Sequence, residues 1–257
     1  MKKIDVSIVS PMHNEQDCAA RFVARVNKTL AAYGASHEII IVNDGSSDRT
    51  LAILQDSLKQ IPTLNIVDLS RNAGQWAAAY AGIQQSRGEY VILMDSDLQH
   101  LPEDIPLFLD KIRDGYDLVS GKRVKRKESL FLRRIPSRIA NFLIRKTTGC
   151  PAKDMGGYKC IKGDLIRNLR LRAGQHRFLP ALVWMMGGDI AEVDIAAPAR
   201  QTGKSHYGIS RIFDVFIDIM LLWFKNSFKS RPIYLFGRLG LLTSLISLGL
   251  FLWVFYE

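Results

Sequence analysis

Cysteine is scarce: Cys18, Cys150 and Cys160 are the three in 257 residues. They are too few and too scattered for a disulfide framework, and no pair has zinc-ligand spacing, so a reducing compartment is expected. A Gly-x-Gly-x-x-Gly fingerprint is absent, which counts against NAD and FAD. No metal-like spacing links His13, His37, His100, His176 and His206, and each is expected to be a polar surface or loop residue. The amino terminus, MKKIDVSIVS, lacks the apolar stretch and small-residue cleavage site of a signal peptide and reads as the start of a strand. Internal repeats and low-complexity linkers are also lacking. With 47% hydrophobic residues the chain is not disordered, and its length suits one large α/β domain or two small ones.

Charge is missing from one place in particular. The 18 residues before Glu257, LGLLTSLISLGLFLWVFY, carry none. At about 1.5 Å per residue they span roughly 27 Å, close to a ~30 Å hydrocarbon core. Extension back through Ile233–Phe236, with Arg238 snorkelling, makes the span comfortable. Trp253, Phe255 and Tyr256 lie at its far end, as an interfacial belt would. The alternative is a buried C-terminal helix. Before it, ISRIFDVFIDIMLLWFKNSFKSRP has apolar residues at helical spacing with Lys225, Lys229 and Arg231 late, the pattern of a helix lying on an anionic membrane surface. By the positive-inside rule the body of the protein then faces the cytoplasm.

The net charge of +10 conceals an asymmetry. Residues 1–120 hold 11 Lys/Arg against 16 Asp/Glu, whereas residues 121–238 hold 24 against 8. The division expected is therefore a catalytic body over 1–208, an amphipathic interface helix over 209–232 and a transmembrane segment over 233–257.

Within the first 120 residues, β-branched runs at 6–10, 38–44, 65–70, 90–95 and 117–121 alternate with helix-like stretches at 16–33, 48–60, 75–86 and 103–114. Such alternation predicts an α/β fold with a mostly parallel sheet flanked by helices. Ligands of such sheets bind beyond the carboxyl ends of the strands. The clusters PMHNE, NDGSSD, SRNAGQ and DSDLQH follow four consecutive strands, so they define one rim.

Asp95 and Asp97 could share one hard cation, Mg²⁺ or Mn²⁺, provided the chain turns between them, and Gln99 could add a neutral oxygen. The competing reading is a solvated acidic loop capping the helix near Pro102. In NDGSSDRT, Ser47 or Asp48 can cap the next helix, while Asp44 at the strand end can accept from a nucleobase N–H. GKS at 203–205 is not a P-loop, because Pro198 stands where the first glycine is required. The basic stretch GKRVKRKESLFLRRIPSR has no aromatic platform and adjoins the membrane region, so anionic lipid and a phosphate-bearing lipid are favoured over nucleic acid.

Together SPMHNEQ, VNDGSSDRT, LSRNAGQWAAAYAG, DSDLQHLPEDIP, TTGCPAKDMGGYKC and RQTGKSHY, in this order and spacing, resemble glycosyltransferase family 2 over nearly the whole chain. The likeness is to its polyprenyl-phosphate branch, which includes dolichol-phosphate mannose synthases, and most to the undecaprenyl-phosphate aminoarabinose transferases. The resemblance implies a GT-A type fold and inverting transfer of a sugar from a nucleotide-sugar, with UDP expected, to polyprenyl phosphate at the bacterial inner membrane. It implies that Pro11, His13, Glu15, Asp44, Arg71 and Asp95 line the nucleotide pocket, and that Asp95, Asp97 and Gln99 hold the metal. Arg123, Arg133, Ser137, Arg200 and Lys204 would gather the lipid phosphate, with Asp95, Asp97 and Arg123 catalytic. Self-association into a homo-oligomer is left open.

The sequence departs from the family pattern in three places. His13 stands where Tyr is frequent, Asn43 replaces the first Asp of DDGS, and Gly157 stands where many relatives carry an acid. That last change leaves Asp154 as the nearby carboxylate. Relatives of this branch often have two or more spans, and this sequence shows one. The rivals are a processive polysaccharide synthase, whose Gln-x-x-Arg-Trp motif is absent, and an inactive nucleotide-binding scaffold.

Overall fold

The β-branched runs form strands where they fall in the sequence, and the helical periods form the layers that cover them. The computed structural model describes residues 3–124, 135–170, 175–196, 217–221, 223–224 and 233–257, with backbone alone for 135–139. Strand β1 (Val6–Met12) pairs in parallel with β2 (His37–Asp44), from Val6 opposite His37 to Met12 opposite Asn43. β3 (Leu64–Leu69) extends the sheet beyond β2, and β4 (Tyr90–Leu93) flanks β1 on its other side, both in parallel.

Three further strands complete the sheet: β5 (Leu118–Val124), β6 (Lys159–Lys162) and β7 (Ile190–Ala196). The order is β3-β2-β1-β4-β6-β5-β7. β6 runs antiparallel to both neighbours, and β7 is parallel to β5. The mostly parallel sheet is as expected; β6 and β7 extend a strand series that the sequence pattern ended at β5.

Helices α1 (Ala19–Tyr33), α2 (Thr50–Leu58), α3 (Gln75–Gln85) and α4 (Ile105–Arg113) occupy the four periodic stretches. In α1 the buried residues are Ala19, Phe22, Val23, Val26 and Leu30, the spacing of one helical face. The helix stops at Gly34, whose φ of 78° is left-handed and whose N–H donates to the carbonyls of Leu30 and Ala31. That face joins α4 residues Phe108 and Ile112 in one core against the sheet. Across the sheet, α3, α6 (Gly163–Asn168) and α7 (Leu179–Met185) build a second core around Val42, Trp76, Ile161 and Leu179.

A third, small cluster joins α5 (Ile135–Thr148) to α7 through Ile144 and Ala181, and Ile219 packs into it. Ile219 belongs to the interface helix expected over 209–232, of which residues 217–221 and 223–224 are described, all helical. The C-terminal helix, Ile233–Tyr256, buries no side chain against the rest of the protein and is long and apolar enough to cross a membrane, with a mean hydropathy of 2.0. A buried core helix is thereby excluded. Apolar surface of this extent requires a nonaqueous neighbour.

Candidate active site

Six strands run in one direction, so their carboxyl ends and the amino end of β6 form a single rim. At the β1–β2 corner, Asn14 takes a φ of 55°, which Asn tolerates, and its Oδ1 accepts the Ser47 N–H at 2.9 Å. His13 donates from Nδ1 to the Asp44 carbonyl at 2.8 Å. The Glu15 carboxylate accepts from the Cys18 thiol at 3.0 Å, and burial pushes that thiol up to about 12. Pro11 lies within β1 opposite Val42. The N-cap of α2 is Arg49 rather than Ser47 or Asp48; Asp48, one residue earlier, still accepts the N–H of Thr50, first residue of α2, on its Oδ1 at 2.9 Å.

Asp44 is 3% exposed, and its two oxygens accept the N–H groups of Ala73 and Gly74 at 2.7 and 3.1 Å. Its carboxylate thus anchors the Ser70–Gly74 loop. Gly45 permits that closure: its φ is 59°, and an added Cβ would stand 2.4 Å from the Arg71 carbonyl carbon. No other residue fits there. The backbone of Arg71 is in this way laid across the end of β2, beside Asp44.

After β4 the chain leaves the strand and bends through Asp95–His100. The buried Leu98 has a φ of 58°, rare for a non-glycine residue, and it turns the backbone just after Asp97. Asp97 accepts the Gln99 N–H at 3.1 Å. Asp95 accepts from the Gln75 side-chain amide at 2.7 Å. The backbone N–H of Asp95 donates to His100 Nδ1 at 3.1 Å, which leaves Nε2 to carry the proton of the neutral ring. Burial lowers the His100 pKa, so its 3.8 Å approach to Asp95 Oδ2 is not an ion pair.

Two histidines have ring partners: His100 lies in the loop after β4 but is buried there, and His176 is partly buried. His100 is 5% exposed and stacks on Tyr158 with centroids 5.1 Å apart. His176 stacks on Trp76 at 5.2 Å.

Among the described residues, no three of His, Cys, Asp and Glu close around a point as a metal cage. Asp95 and Asp97 instead offer hard oxygens at a bend beside open rim. That set suits a divalent cation that completes its shell with phosphate oxygens and water.

On the other side of β6, Arg123, next to last in β5, makes a fork-to-fork pair with Asp154. Nε meets Oδ2 at 3.0 Å and Nη2 meets Oδ1 at 3.1 Å. Asp154 is itself 5% exposed and held by Ser120, whose hydroxyl donates to its carbonyl at 3.1 Å. A bidentate pair of this kind fixes the guanidinium plane more than it adds stability. Sequence reasoning left Asp154 without a role, because its partner lies 31 residues away.

Lys159 at the start of β6 was not singled out. It is 3% exposed, burial pushes its ammonium down to about 8, and Asp95 and Asp154 act against that. A lone lysine inside the apolar run Tyr158–Ile161 was the available signal. Gly157 is close by: a Cβ there would stand 3.1 Å from Asp95 Oδ2.

The structure brings Asp44, Asp95, Asp97 and Arg123 to one rim. Arg133, Arg200 and Lys204 lie outside the described residues, and Ser137 is placed in α5 by its backbone alone.

Residues 7–163 match the profile of Glycosyl transferase family 2. The chain is 39% identical over 248 residues to the dodecaprenyl-phosphate galacturonate synthase of Rhizobium johnstonii, covering 94% of this chain and 73% of that one. It is 34% identical over 235 residues to the undecaprenyl-phosphate 4-deoxy-4-formamido-L-arabinose transferase of Edwardsiella ictaluri, covering 89% and 71%. Among solved structures, glucosyl-3-phosphoglycerate synthase from Mycobacterium tuberculosis, in complex with Mn²⁺, UDP-glucose and glycerol 3-phosphate, aligns with a TM-score of 0.66. At 16% identity, over 87% of this chain and 80% of that one, it shares the fold.

Proposed function

The chain belongs to glycosyl transferase family 2, and from that premise we propose that it moves a sugar from a nucleotide-sugar, with uridine as the nucleoside, to a polyprenyl phosphate at a membrane surface. The observation that carries this reading is the pairing of Asp95 and Asp97 with the Arg123–Asp154 fork at one rim, on a chain whose last helix suits a bilayer. Acidic residues face the donor end and a fixed guanidinium the acceptor end. The Ser70–Gly74 loop, tied to Asp44, would border the base and ribose.

In the reaction, a phosphate oxygen of the acceptor forms a bond to the anomeric carbon as the bond to the nucleoside diphosphate breaks, with inversion. The acceptor phosphate is already anionic at neutral pH, so no strong general base is needed. Arg123 would orient that phosphate through a guanidinium whose plane Asp154 fixes from its Nε/Nη2 edge. Asp95 and Asp97, with Gln99, would hold Mg²⁺ or Mn²⁺, which when bound neutralises charge on the departing diphosphate. Arg133, Ser137, Arg200 and Lys204 are proposed to complete the acceptor site from the basic half.

For the chain as a whole we propose a body over 1–208, an interface helix over 209–232 and a span over 233–257, in the bacterial inner membrane with the body in the cytoplasm. The basic residues Lys225, Lys229 and Arg231 before the span support that orientation. The relatives' names carry an acidic sugar in one case and a formamido sugar in the other, so pocket charge is the property that separates them. Membranes bearing the protein, given nucleotide-sugars and undecaprenyl phosphate, should yield a sugar-phospholipid of the corresponding mass. Nucleotide-sugar hydrolysis without any lipid product would overturn the acceptor assignment.

A further inference from the structure

Strand alternation divides β6. Tyr158 and Cys160 enter the core beneath α1 and α4, while Ile161 enters the opposite core with Trp76. Lys159 therefore shares the α3 face of the sheet with Ile161. Its backbone sits between Leu93 of β4 and Ser120 of β5, at the seam of the sheet. The charges it feels are Asp95, Asp154 and Arg123, and among the described residues no hydrogen bond or ion pair reaches its Nζ.

Neither carboxylate is placed to serve it. Both oxygens of Asp154 are engaged by Arg123, and Asp95 accepts from Gln75 while facing the proposed cation. An ammonium has three donors and no acceptor, and holding one in a residue 3% exposed, with little water and no partner among the described residues, is costly. A methionine would fill the same volume without that cost. The position is informative as well. Lys159 lies between Asp95, at the diphosphate end, and Arg123, at the acceptor-phosphate end, and the sugar is what joins those two ends. Gly157, two residues earlier, adds no carboxylate from the same side.

We infer that Lys159 is a carboxylate-binding residue for the donor sugar, and that the sugar transferred is a hexuronic acid. Its C6 carboxylate would accept from Nζ, whereas a neutral C6 hydroxyl would leave the charge uncompensated. This inference rests on the proposed function for the placement of the sugar.

The test uses the full chain in detergent with Mn²⁺ and measures binding by calorimetry, apart from transfer. Probes are nucleotide-sugars paired to differ at C6: UDP-galacturonate with UDP-galactose, UDP-glucuronate with UDP-glucose, and GDP-mannuronate with GDP-mannose. At least one uronate should bind about ten- to a hundredfold tighter than its neutral counterpart. Lys159→Met should erase that ratio while leaving the free nucleoside diphosphate within about threefold, and Lys159→Arg should restore part of it. Equal binding of every pair by the native protein would overturn the inference, whether or not the variants fold. So would a ratio that survives in Lys159→Met, or a change confined to the polyprenyl-phosphate KM. A retained uronate preference with no transfer to lipid would instead sink the acceptor assignment and leave the carboxylate subsite standing.

Discussion

On the β3-β2-β1-β4 side of the sheet all strands are parallel, each is followed by a polar loop, and side-chain oxygens accept backbone N–H groups from neighbouring loops. Asp44 holds Ala73 and Gly74, and Asn14 holds Ser47. On the β6-β5-β7 side one strand is reversed, and the rim is made by side chains from distant segments, Arg123 on Asp154 and Lys159 at the seam. The first side offers oxygens and N–H groups, and under the proposed function it would cradle the donor. The second presents cations, which under that reading would set what else is accepted. The family match, residues 7–163, takes in the first side together with β5 and β6.

The sharpest way to break this division is to damage the donor side alone. Asp97→Ala removes one of the two carboxylates at the β4 bend. It should lower turnover roughly a hundredfold or more, the scale of losing a principal charge-stabilising group. Lipid-acceptor KM should stay within about threefold, because the Arg123–Asp154 fork lies across β6. EDTA should reproduce the loss in the native protein. Initial rates across a donor and acceptor grid would show it; unchanged transfer in the variant would remove Asp97 from the site.

The seam between the halves can be tested through stability, without substrates. Lys159 titrates near 8 in the folded protein against an ordinary 10.5, because burial outweighs Asp95 and Asp154 while Arg123 adds to the depression. Below about pH 8 the group is charged in both folded and unfolded chains, so the burial cost is felt in full. Between 8 and 10.5 the unfolded chain binds the extra proton, and this group's contribution makes the native protein gain stability as pH rises. Lys159→Met lacks that dependence. In metal-free buffer it should be more stable than the native protein by on the order of 2–3 kcal/mol at pH 7, with the gap closing toward pH 10.5. Denaturant unfolding of both proteins across this range measures the difference. A variant less stable at pH 7 would mean that the ammonium has an internal partner. A gain in stability with loss of uronate binding is the signature of a residue retained for function.

The same contrast explains how much was legible in the sequence. The first five strands and four helices follow from local periodicity, because parallel strands buried on both faces read as unbroken β-branched runs such as Ile39–Val42. The placement of Asp44, Asp95 and Asp97 at or just past strand ends was legible because a strand ending in carboxylates is itself a local pattern. β6 was not, since four residues containing two lysines, KCIK, carry no clear period and take their place from neighbours on both sides. The burial of His100 was not legible for a related reason. Nothing nearby in sequence shows that Tyr158 will stack on it from 58 positions away. The Arg123–Asp154 fork is likewise a property of the assembled fold, whereas the C-terminal helix was legible from its uncharged apolar run.

The smallest effect expected is on the acceptor side, from a residue that touches neither substrate. Asp154→Asn keeps the shape of the side chain and removes its charge, so the fork on Arg123 loses one charge-assisted bond and gains an N–H facing an N–H. Arg123 would then be free to rotate, and the orientation of the lipid phosphate would be lost rather than its attraction. Misplacement by a fraction of an ångström affects rate before affinity. The expected result is therefore about a tenfold fall in kcat with polyprenyl phosphate, little change in its KM, and nucleotide-sugar binding within about twofold. Asp154→Glu should recover less than the native level, because its longer arm shifts the guanidinium plane. A structural role alone would instead lower thermal stability with kcat preserved at a temperature where the variant stays folded. Should Asp154→Asn weaken donor binding as much as it slows transfer, the division of the rim into donor and acceptor halves would have to be redrawn with Arg123 on the diphosphate.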